Sequence, residues 1–490
     1  MLASVAEVAK KFDLTLSVVF DVFLGEFPNE LNTNFCLQMS TMMERTKLKS
    51  RIGVLLVVVA WIVCFSSVAS QAFDQNKSAA TKPSIVFIVG DDCGYNEFSF
   101  QGGRIPTPRI DSIAAGGVSL TQGYVSAAVC SPSRAGLLTG RYQQRFGHHG
   151  NLPFKKVELE GVPLTETLLP AVLQSAGYQT IAIGKWHLGW DPKFRPCERG
   201  VDDFYGFLHG SRTYFPDQKA PYQSALMLNR ESAGSDDFTY LTDEFGKRSA
   251  DYIDRYWDKP FFLYLAFNAT HSPQDVLSDD LKKAGGKKIA AMTIAMDRAV
   301  GKVLDALDRN RLTSNTLVVF LSDNGGENRH DNSPLRGYKR DMYEGGIRVP
   351  FAIRWPKVIP VGTTYNQPVI ALDLFTTALA VAGIKMPADR PIDGVDLLPF
   401  LTGRSTERPH KTLFWTYGES WAVRDADLKL VSNRSNKKGT PELFDLANDV
   451  SEEHNLADVR VDDVTRLRAL LDEWKSTHKP SPWGRDAKDE

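Results

Sequence analysis

Five runs of consecutive apolar, strand-forming residues constrain the fold of this chain more than any other feature of its sequence. They cover residues 84–89, 180–183, 261–267, 316–321 and 351–353. Uninterrupted apolar runs are typical of strands buried on both faces, as in a parallel sheet covered by helices. Helical patterns lie between them, at residues 168–176, which end at Gly177, and at 289–307. This alternation predicts an α/β fold in which a mixed, largely parallel sheet is sandwiched by helices.

The sequence changes character after residue 403, where shorter segments follow one another. Strand-like segments cover residues 411–417, 421–424, 428–431 and 442–446, and residues 464–474 have a helical pattern. Their spacing predicts a small antiparallel sheet closed by a helix. We therefore expect a main domain over residues 83–403 and a smaller C-terminal subdomain over residues 404–480.

Residues 43–72 have the pattern of an export signal, with basic residues before an apolar run over 52–65 and small residues after it. The run is shorter than the roughly 20 residues that span a membrane. A cleaved signal is therefore favoured over an uncleaved anchor, which would be the protein's one membrane contact. Because a signal normally begins a chain, we interpret residues 1–42 as a non-native or misassigned extension. The mature protein is expected in the periplasm or secreted, or in the lysosome or endoplasmic reticulum lumen of a eukaryote.

Charge and cysteine content narrow the function further. The 58 Lys and Arg residues and 59 Asp and Glu residues give a net charge of −1, so no basic field is available to hold nucleic acid. Two of the five cysteines lie before or inside the signal, which leaves Cys93, Cys130 and Cys197. Three cysteines do not make a disulfide framework. A single Cys93–Cys197 bridge would leave Cys130 free.

Polar or charged side chains follow four of the apolar runs at the point where each run ends. They are Asp91 and Asp92, Lys185 and His187, His271, and Asp323 and Asn324. Because ligands bind at the carboxyl ends of strands in open α/β sheets, we expect these side chains to lie together. The aspartates and the asparagine supply the oxygen ligands that Ca²⁺ or Mg²⁺ prefers. For the Asp91-Asp92 pair alone, a turn or a helix cap is the alternative.

Cys130 precedes Ser131 and Pro132, which have the pattern of a helix cap followed by the first helical residue. Cys130 would then lie at a helix N-terminus, where the backbone dipole favours anions and lowers the pKa of a thiol. Arg134, one turn into the helix, would point back toward it. On spacing alone, a buried structural cysteine is the alternative.

Lys339 lies in a glycine-containing segment, residues 335–346, which we expect to form a loop over the site. Lys339 and Lys185 add positive charge, and histidines can move protons near neutral pH. Cations beside a metal suit the binding of an anionic oxyester and the charge of its transition state. Each of these residues taken alone also has an ordinary structural interpretation.

These residues stand in motifs that resemble those of the type I sulfatase family, in the alkaline-phosphatase-like superfamily. CSPSR at residues 130–134, continued by TGR at 139–141, fits the family signature C-x-P-S-R…T-G-R. Residues 184–189, 322–326 and 343–346 fit three further family motifs. The likeness runs from about residue 82 to residue 458. The local sequence is more similar to carbohydrate sulfatases, of the arylsulfatase and N-acetylgalactosamine-sulfatase kind, than to lipid or steroid sulfatases.

The resemblance implies that a formylglycine-generating or sulfatase-maturating enzyme oxidises Cys130 to Cα-formylglycine. The hydrated aldehyde would attack the sulfur of a sulfate ester and then expel sulfate. The implied ligands of a Ca²⁺ ion are Asp91, Asp92, Asp323, Asn324 and the modified Cys130. The implied catalytic residues are Cys130, Arg134, Lys185, His187, His271 and Lys339.

Within that set the resemblance also implies separate roles. Arg134 and Lys185 would steady the modified side chain and the sulfate oxygens. His187 would be the base of the second step. His271 and Lys339 would bind sulfate and protonate the leaving oxygen.

Two positions depart from the family pattern. Thr270 precedes His271 where many relatives have proline. Tyr338 and Arg340 flank Lys339 where relatives often have glycine, a difference that would shape substrate preference.

Two other functions are compatible with the sequence. A phosphonate monoester hydrolase or phosphodiesterase of the same superfamily would share the modified cysteine, although two-zinc phosphatases need an Asp-His pair where Asp323-Asn324 stands. A non-catalytic binding protein on the same scaffold would leave Cys130 unmodified. The expected substrate is a sulfated small molecule or saccharide, such as a polysaccharide or glycosaminoglycan fragment. Aromatic residues in 204–215 would line a sugar subsite or form ordinary core.

Overall fold

A ten-stranded sheet forms the centre of the fold. The computed structural model describes residues 82–153, 160–217, 224–234, 237–436 and 439–483, so the predicted signal and the N-terminal extension lie outside the described residues. The strands of the described residues are β1 (Ser84–Gly90), β2 (Val118–Leu120), β3 (Gly123–Tyr124), β4 (Gln179–Lys185), β5 (Asp203–Phe207), β6 (Met227–Leu228), β7 (Glu231–Ser232), β8 (Phe261–Ala266), β9 (Thr316–Ser322), β10 (Phe351–Arg354), β11 (Thr363–Tyr365), β12 (Val369–Ile370), β13 (Thr412–Tyr417), β14 (Ser420–Asp425), β15 (Leu428–Ser432) and β16 (Glu442–Asp445).

The main sheet has the strand order β11-β2-β10-β9-β1-β8-β4-β5-β6-β7. Its centre, β9-β1-β8-β4-β5, is parallel, whereas β10 runs antiparallel to both β9 and β2. Every residue of β1 and of β9 is buried. The predicted mixed, largely parallel sheet is confirmed, because the apolar runs in the sequence are its central strands.

Helices cover both faces of this sheet. The α-helices of the described residues are α1 (Pro108–Ala115), α2 (Cys130–Thr139), α3 (Leu169–Ser175), α4 (Leu241–Arg255), α5 (Ser278–Lys283), α6 (Lys288–Arg309), α7 (Glu344–Ile347), α8 (Asp373–Ala382), α9 (Leu398–Leu401) and α10 (Val461–Lys475). Helices α2, α3 and α8 share a core with Phe87 and Val89, while α1, α4 and α6 share one with Val86 and Ile88. Alternate residues of β1 therefore point into opposite cores, which is why its sequence is apolar throughout.

A smaller antiparallel sheet, in the order β13-β14-β15-β16, follows in the C-terminal part. Helix α10 packs on it through Leu467, Leu471 and Trp474, in a core that also takes in Met342 and Ile347. The predicted small sheet with its closing helix is confirmed. The boundary at residues 403 and 404 stays a prediction.

Two local predictions are wrong. Cys93 and Cys197 are both free, so the bridge between them does not form. Helix α2 begins at Cys130 with Val129 as its cap residue, rather than at Pro132 with Ser131 as the cap. The Ser131 hydroxyl instead donates to the backbone oxygen of His187 at 2.7 Å, a contact that no local pattern could indicate.

No helix among the described residues is both long enough and apolar enough to cross a membrane.

Candidate active site

Four polar side chains meet where the neighbouring strands β1 and β9 end. Asp91 and Asp92 follow β1, and Asp323 and Asn324 follow β9. The backbone nitrogen of Asp92 lies 3.3 Å from Oδ1 of Asp323, and Nδ2 of Asn324 donates to Oδ1 of Asp92 at 2.7 Å. All four residues are buried. The structure thus brings these four predicted ligands together at one edge of the sheet.

Cys130 and His271 complete this cluster from two other elements. Cys130, the first residue of α2, places its Sγ 3.5 Å from Oδ1 of Asp91. His271 follows β8, and its Nε2 lies 3.7 Å from Oδ2 of Asp92. One ligand atom each from Asp91, Asp92, Cys130 and His271 lies within 4.8 Å of all the others. The cluster therefore has the spacing of a metal-binding group. His271 is part of that group, although the sequence did not indicate it as a metal ligand.

Each carboxylate of the site has its own buried cation. The pairs are Lys185 with Asp91 at 2.6 Å, Lys339 with Asp92 at 2.7 Å, and Arg134 with Asp323 at 2.7 Å. Arg134 also donates to the backbone oxygen of Lys185 at 3.1 Å. A charged side chain is costly to bury alone. The three buried carboxylates and three buried cations offset one another's charge, so each pair fixes the position of its members.

His187 lies beside the cluster. Its backbone has a positive φ of 58°, and its ring centroid is 6.3 Å from that of His209. A side chain at Gly210 would clash with the His187 ring, so that glycine leaves room for the histidine. Burial, with the nearby charges of Lys185 and Arg134, lowers the pKa of His187 well below its usual value. The imidazole is therefore in its neutral form at neutral pH.

The sequence of this chain matches known protein families. The sulfatase family profile matches residues 83–384, which include all the residues described above. A second profile, that of the N-sulphoglucosamine sulphohydrolase C-terminal region, matches residues 337–476. The N-acetylgalactosamine-6-sulfatase of Canis lupus familiaris is 33% identical over 388 residues, covering 70% of this chain and 74% of the relative. The chain belongs to the sulfatase family. It is a sulfuric ester hydrolase.

Other relatives and solved structures agree with this assignment. An uncharacterized sulfatase of Escherichia coli K12 is 32% identical, with 69% of each chain covered. Ps i-CgsB, whose crystal structure was solved in complex with k-i-k-neocarrahexaose, superimposes with a TM-score of 0.77 at 34% identity, covering 82% of this chain and 95% of the other. These likenesses show the alkaline-phosphatase-like architecture of the sulfatase.

The Cys130 thiol of the sulfatase is not the activated thiol that its helix position suggests. Burial raises its pKa to about 12, although Lys185 and Lys339 oppose the shift. The prediction that the helix N-terminus lowers this pKa is wrong, because loss of solvent outweighs the neighbouring positive charges. An unmodified Cys130 is therefore protonated at neutral pH and a poor nucleophile.

The pKa values of Asp91 and Asp323 in the sulfatase shift in opposite directions. Burial would raise the pKa of Asp91, but Lys185, His271 and Arg134 outweigh it and lower the pKa. Burial and the charge of Asp91 raise the pKa of Asp323, although Arg134 opposes this. Asp91 is thus more readily ionised than Asp323.

Lys339 reaches the sulfatase site from the segment before α7. A side chain at Gly346 would clash with the carbonyl oxygens of Asp341 and Tyr338, and one at Gly345 with those of Gly337 and Arg336. The two glycines therefore let α7 pack directly against the backbone that carries Lys339. The predicted loop over the site is present, and this close packing accounts for its Gly-Gly pair.

Sequence reasoning missed several residues around the sulfatase site. His148 is buried, with Nε2 2.7 Å from Oγ of Ser131, next to Cys130. Asn433, beyond β15, bonds to the Lys339 segment. Their contacts are tertiary and join residues 17 and 91 positions apart, so no motif in the sequence could have indicated them.

The aromatic residues proposed for a sugar subsite are mostly core. Phe204, Phe207 and Tyr214 are buried in the two cores of the main sheet. Phe215 is only partly buried, and Tyr338, beside Lys339, is 44% exposed. Tyr338 is therefore better placed than residues 204–208 to meet a bound substrate.

Proposed function

We propose that this sulfatase hydrolyses sulfate esters of a carbohydrate at a Ca²⁺ site, with Cys130 converted to Cα-formylglycine. The observation that carries the proposal is the convergence of Asp91, Asp92, Cys130 and His271 on one point in a buried, charged cluster. The phosphonate monoester hydrolase is an outcome of the test below, whereas membership of the sulfatase family argues against the non-catalytic protein.

The donor set fits a calcium ion. Asn324 Oδ1 is buried and has no hydrogen-bond partner among the described residues, although its Nδ2 is bonded to Asp92. A buried oxygen without a partner is costly, and a hard cation would satisfy it. The ion would be held by Asp91, Asp92, Asp323, Asn324 and the modified Cys130. It would add two positive charges to a site whose side chains otherwise balance, and an anionic sulfate ester would offset one of them.

Conversion of Cys130 removes the difficulty of its raised pKa. As formylglycine, its aldehyde hydrate supplies an oxygen nucleophile and lets sulfate leave by collapse to the aldehyde. Arg134 is fully buried and bonded to Asp323, so it presents a fixed positive charge beside residue 130. Lys185, on the other side of Asp91, does the same. Two preorganised cations favour the charge that develops on the sulfate oxygens.

Three further residues handle protons and the leaving group. His187 is held neutral, as a base for the second step requires. His271 is 17% exposed and lies at the mouth of the site, where the alcohol of the ester would leave. Lys339, paired with Asp92, faces the same point from the loop. These two would stabilise the leaving oxygen.

The substrate assignment draws on the relatives and on the entrance of the site. Relatives include N-acetylgalactosamine-6-sulfatases, and Ps i-CgsB was solved in complex with k-i-k-neocarrahexaose. Tyr338 offers an exposed ring next to Lys339, which suits a sugar face. We propose a sulfated polysaccharide or glycosaminoglycan fragment, an exported enzyme, and a formylglycine-generating or sulfatase-maturating enzyme as partner in its maturation. Export is supported by the pattern of residues 43–72.

The test combines chemistry and turnover on the same preparation. Mass spectrometry of the tryptic peptide that contains Cys130 should show formylglycine in active enzyme, and Cys130→Ala should lose about a thousandfold or more in kcat. Sulfated oligosaccharides should be turned over faster than aryl phosphonates. Faster phosphonate hydrolysis would assign the enzyme to phosphonate esters, and full activity of Cys130→Ala would remove the nucleophile from the proposal.

The metal site can be tested without turnover. Calorimetric titration of unconverted protein with Ca²⁺ should show one site per chain. Asn324→Ala should weaken binding by about tenfold to a hundredfold. Asn455→Ala is the matched control, because Asn455 lies in the C-terminal part and accepts from Leu443 and Ala457. Equal affinities in the two variants would exclude Asn324 as a ligand.

A further inference from the structure

The segment that carries Lys339 is held by a residue of the C-terminal sheet. Asn433 directly follows β15 and is 4% exposed. Its Oδ1 accepts from the backbone nitrogen of Met342 at 3.1 Å, and its Nδ2 donates to Oδ1 of Asp341 at 2.8 Å. Both bonds join residues about ninety positions apart. They fix the backbone just after Lys339 to the end of a strand.

Asp341 carries this connection to the other side of Lys339. Its second oxygen, Oδ2, accepts from the backbone nitrogen of Tyr338 at 3.2 Å. One carboxylate thus links Asn433 to the residue that precedes Lys339. Because Asp341 is 8% exposed, solvent does not readily replace either bond.

The rest of the segment is held from the catalytic side. The backbone nitrogen of Lys339 donates to the oxygen of Gly326 at 2.9 Å, and that of Arg340 donates to the oxygen of Ala128, two residues before Cys130, at 2.9 Å. Arg340 has a positive φ of 76°, an unfavourable conformation for arginine that its surroundings must impose. Because surrounding contacts impose this conformation, we expect the backbone to shift when one of those contacts is removed.

We propose that Asn433 is a positioning residue for Lys339, acting through Asp341 to fix the backbone that directs the Lys339 ammonium toward Asp92 and the leaving oxygen. The inference rests on the proposed function only in giving Lys339 a role at the leaving oxygen. It makes the C-terminal sheet part of the catalytic apparatus. The alternative is a purely local role, since Asn433 Nδ2 also donates to Oγ of Ser435 at 2.5 Å and could simply shape the turn after β15.

Leaving-group dependence separates the two roles. A good leaving group such as 4-nitrophenolate needs little help at its oxygen, whereas an alkyl or sugar alcohol needs much. A displaced Lys339 should therefore slow the poor leaving group selectively. A protein that is merely less stable loses active molecules, and all substrates slow by the same factor.

The experiment compares Asn433→Ala with Asn455→Ala, each normalised to its formylglycine content. Asn455 also accepts two backbone hydrogen bonds, at 3.0 and 2.9 Å, and these stay within the C-terminal part. We expect Asn433→Ala to lower kcat on an alkyl sulfate or sugar sulfate about ten to a hundredfold more than on 4-nitrophenyl sulfate, as a displacement near 1 Å does. Asn455→Ala should leave that ratio unchanged.

A second variant keeps the proposal testable if Asn433→Ala fails to fold. Asp341→Asn keeps the size of the side chain but replaces one acceptor oxygen with a donor, so it loses the contact with Tyr338 or with Asn433. It should shift the same ratio in the same direction, and the double variant should add little to Asn433→Ala.

Two results would overturn the proposal, and they are distinguishable from failure of the proposed function. An unchanged ratio in both variants, while Lys339→Ala shifts it strongly, would leave Asn433 with a local role only. If Lys339→Ala itself left the ratio unchanged, the role given to Lys339 under the proposed function would fail, and the positioning role would fail with it.

Discussion

Burial and charge act in opposite directions on neighbouring residues of this site. Burial dominates at Cys130 and raises the pKa of its thiol, whereas cations dominate at Asp91 and lower the pKa of its carboxyl. The two side chains lie 3.5 Å apart. The difference follows from their partners, since Asp91 has an ammonium group at 2.6 Å. A chain can thus keep a carboxylate ionised beside a thiol that stays protonated.

Gly346 provides a residue-scale prediction. Its Cα packs so closely on the carbonyl oxygens of Asp341 and Tyr338 that a methyl group would push the Lys339 segment outward. We expect Gly346→Ala to cost about 1–3 kcal/mol of stability, as overpacking does, and to lower kcat at least tenfold. Thermal melting and steady-state kinetics measure the two effects.

Gly150→Ala is the control for that substitution. A side chain at Gly150 would meet only the Tyr417 ring, at 3.9 Å, so this variant should melt and turn over like the parent. Parent-like kinetics in Gly346→Ala would mean that the backbone around Lys339 has more freedom than its contacts indicate.

At the scale of elements, β15 and α7 are joined by a buried group of charges. Nζ of Lys429 lies 2.8 Å from Glu344 and 2.9 Å from Glu452, and none of these side chains is exposed. The backbone nitrogen of Glu344 also donates to Glu452, at 2.7 Å. This group holds the start of α7, and with it the glycines that pack under the Lys339 segment.

Substitution of Lys429 and substitution of Glu452 should change the stability of the protein by different amounts. Lys429→Met leaves Glu452 buried without its cation and leaves Glu344 paired with Arg348, at 3.3 Å, so it should cost about 3–5 kcal/mol. Burial raises the pKa of Glu452 to about 7, against the charge of Lys429, so the ionised form of this carboxyl adds little stability at neutral pH. Glu452→Gln should therefore cost much less. The melting temperatures of the two variants at pH 7 test this, and a larger loss in Glu452→Gln would contradict it.

Elements also show what the sequence can and cannot predict. The buried strands β1 and β9 were predictable because burial on both faces leaves a continuous apolar run. The start of α2 was not, because Ser131 bonds to His187 across the fold instead of capping the helix. The polar residues at the strand ends were predictable because each apolar run shows where its strand ends, and ligands bind at that edge of the sheet. Asn433 and His148 were not, since only tertiary contacts place them at the site.

At the scale of the whole molecule, Asp373 connects parts of the chain that are distant in sequence. Its carboxylate, at the start of α8, accepts from the backbone nitrogens of Ile370 at 2.8 Å and Val395 at 2.9 Å. Nε2 of His410 lies 2.7 Å from Asp373 Oδ1. His410 lies just before β13, so this ion pair joins the main sheet region to the entry of the C-terminal sheet.

The His410–Asp373 pair should make stability depend on pH. Burial would lower the pKa of His410, but Asp373 outweighs it and raises the pKa above its ordinary value. A histidine whose pKa is raised on folding contributes stability that is complete below its unfolded pKa of about 6.5. That contribution is lost as the pH rises through the folded pKa. His410→Gln, which cannot become charged, should therefore melt well below the parent at about pH 6, and the difference should shrink toward pH 9. Gly150→Ala removes no titratable group, so its melting temperature should differ from the parent by the same small amount across this pH range. A difference in melting temperature that stayed constant across this range would show that His410 acts by packing and hydrogen bonding rather than through its charge.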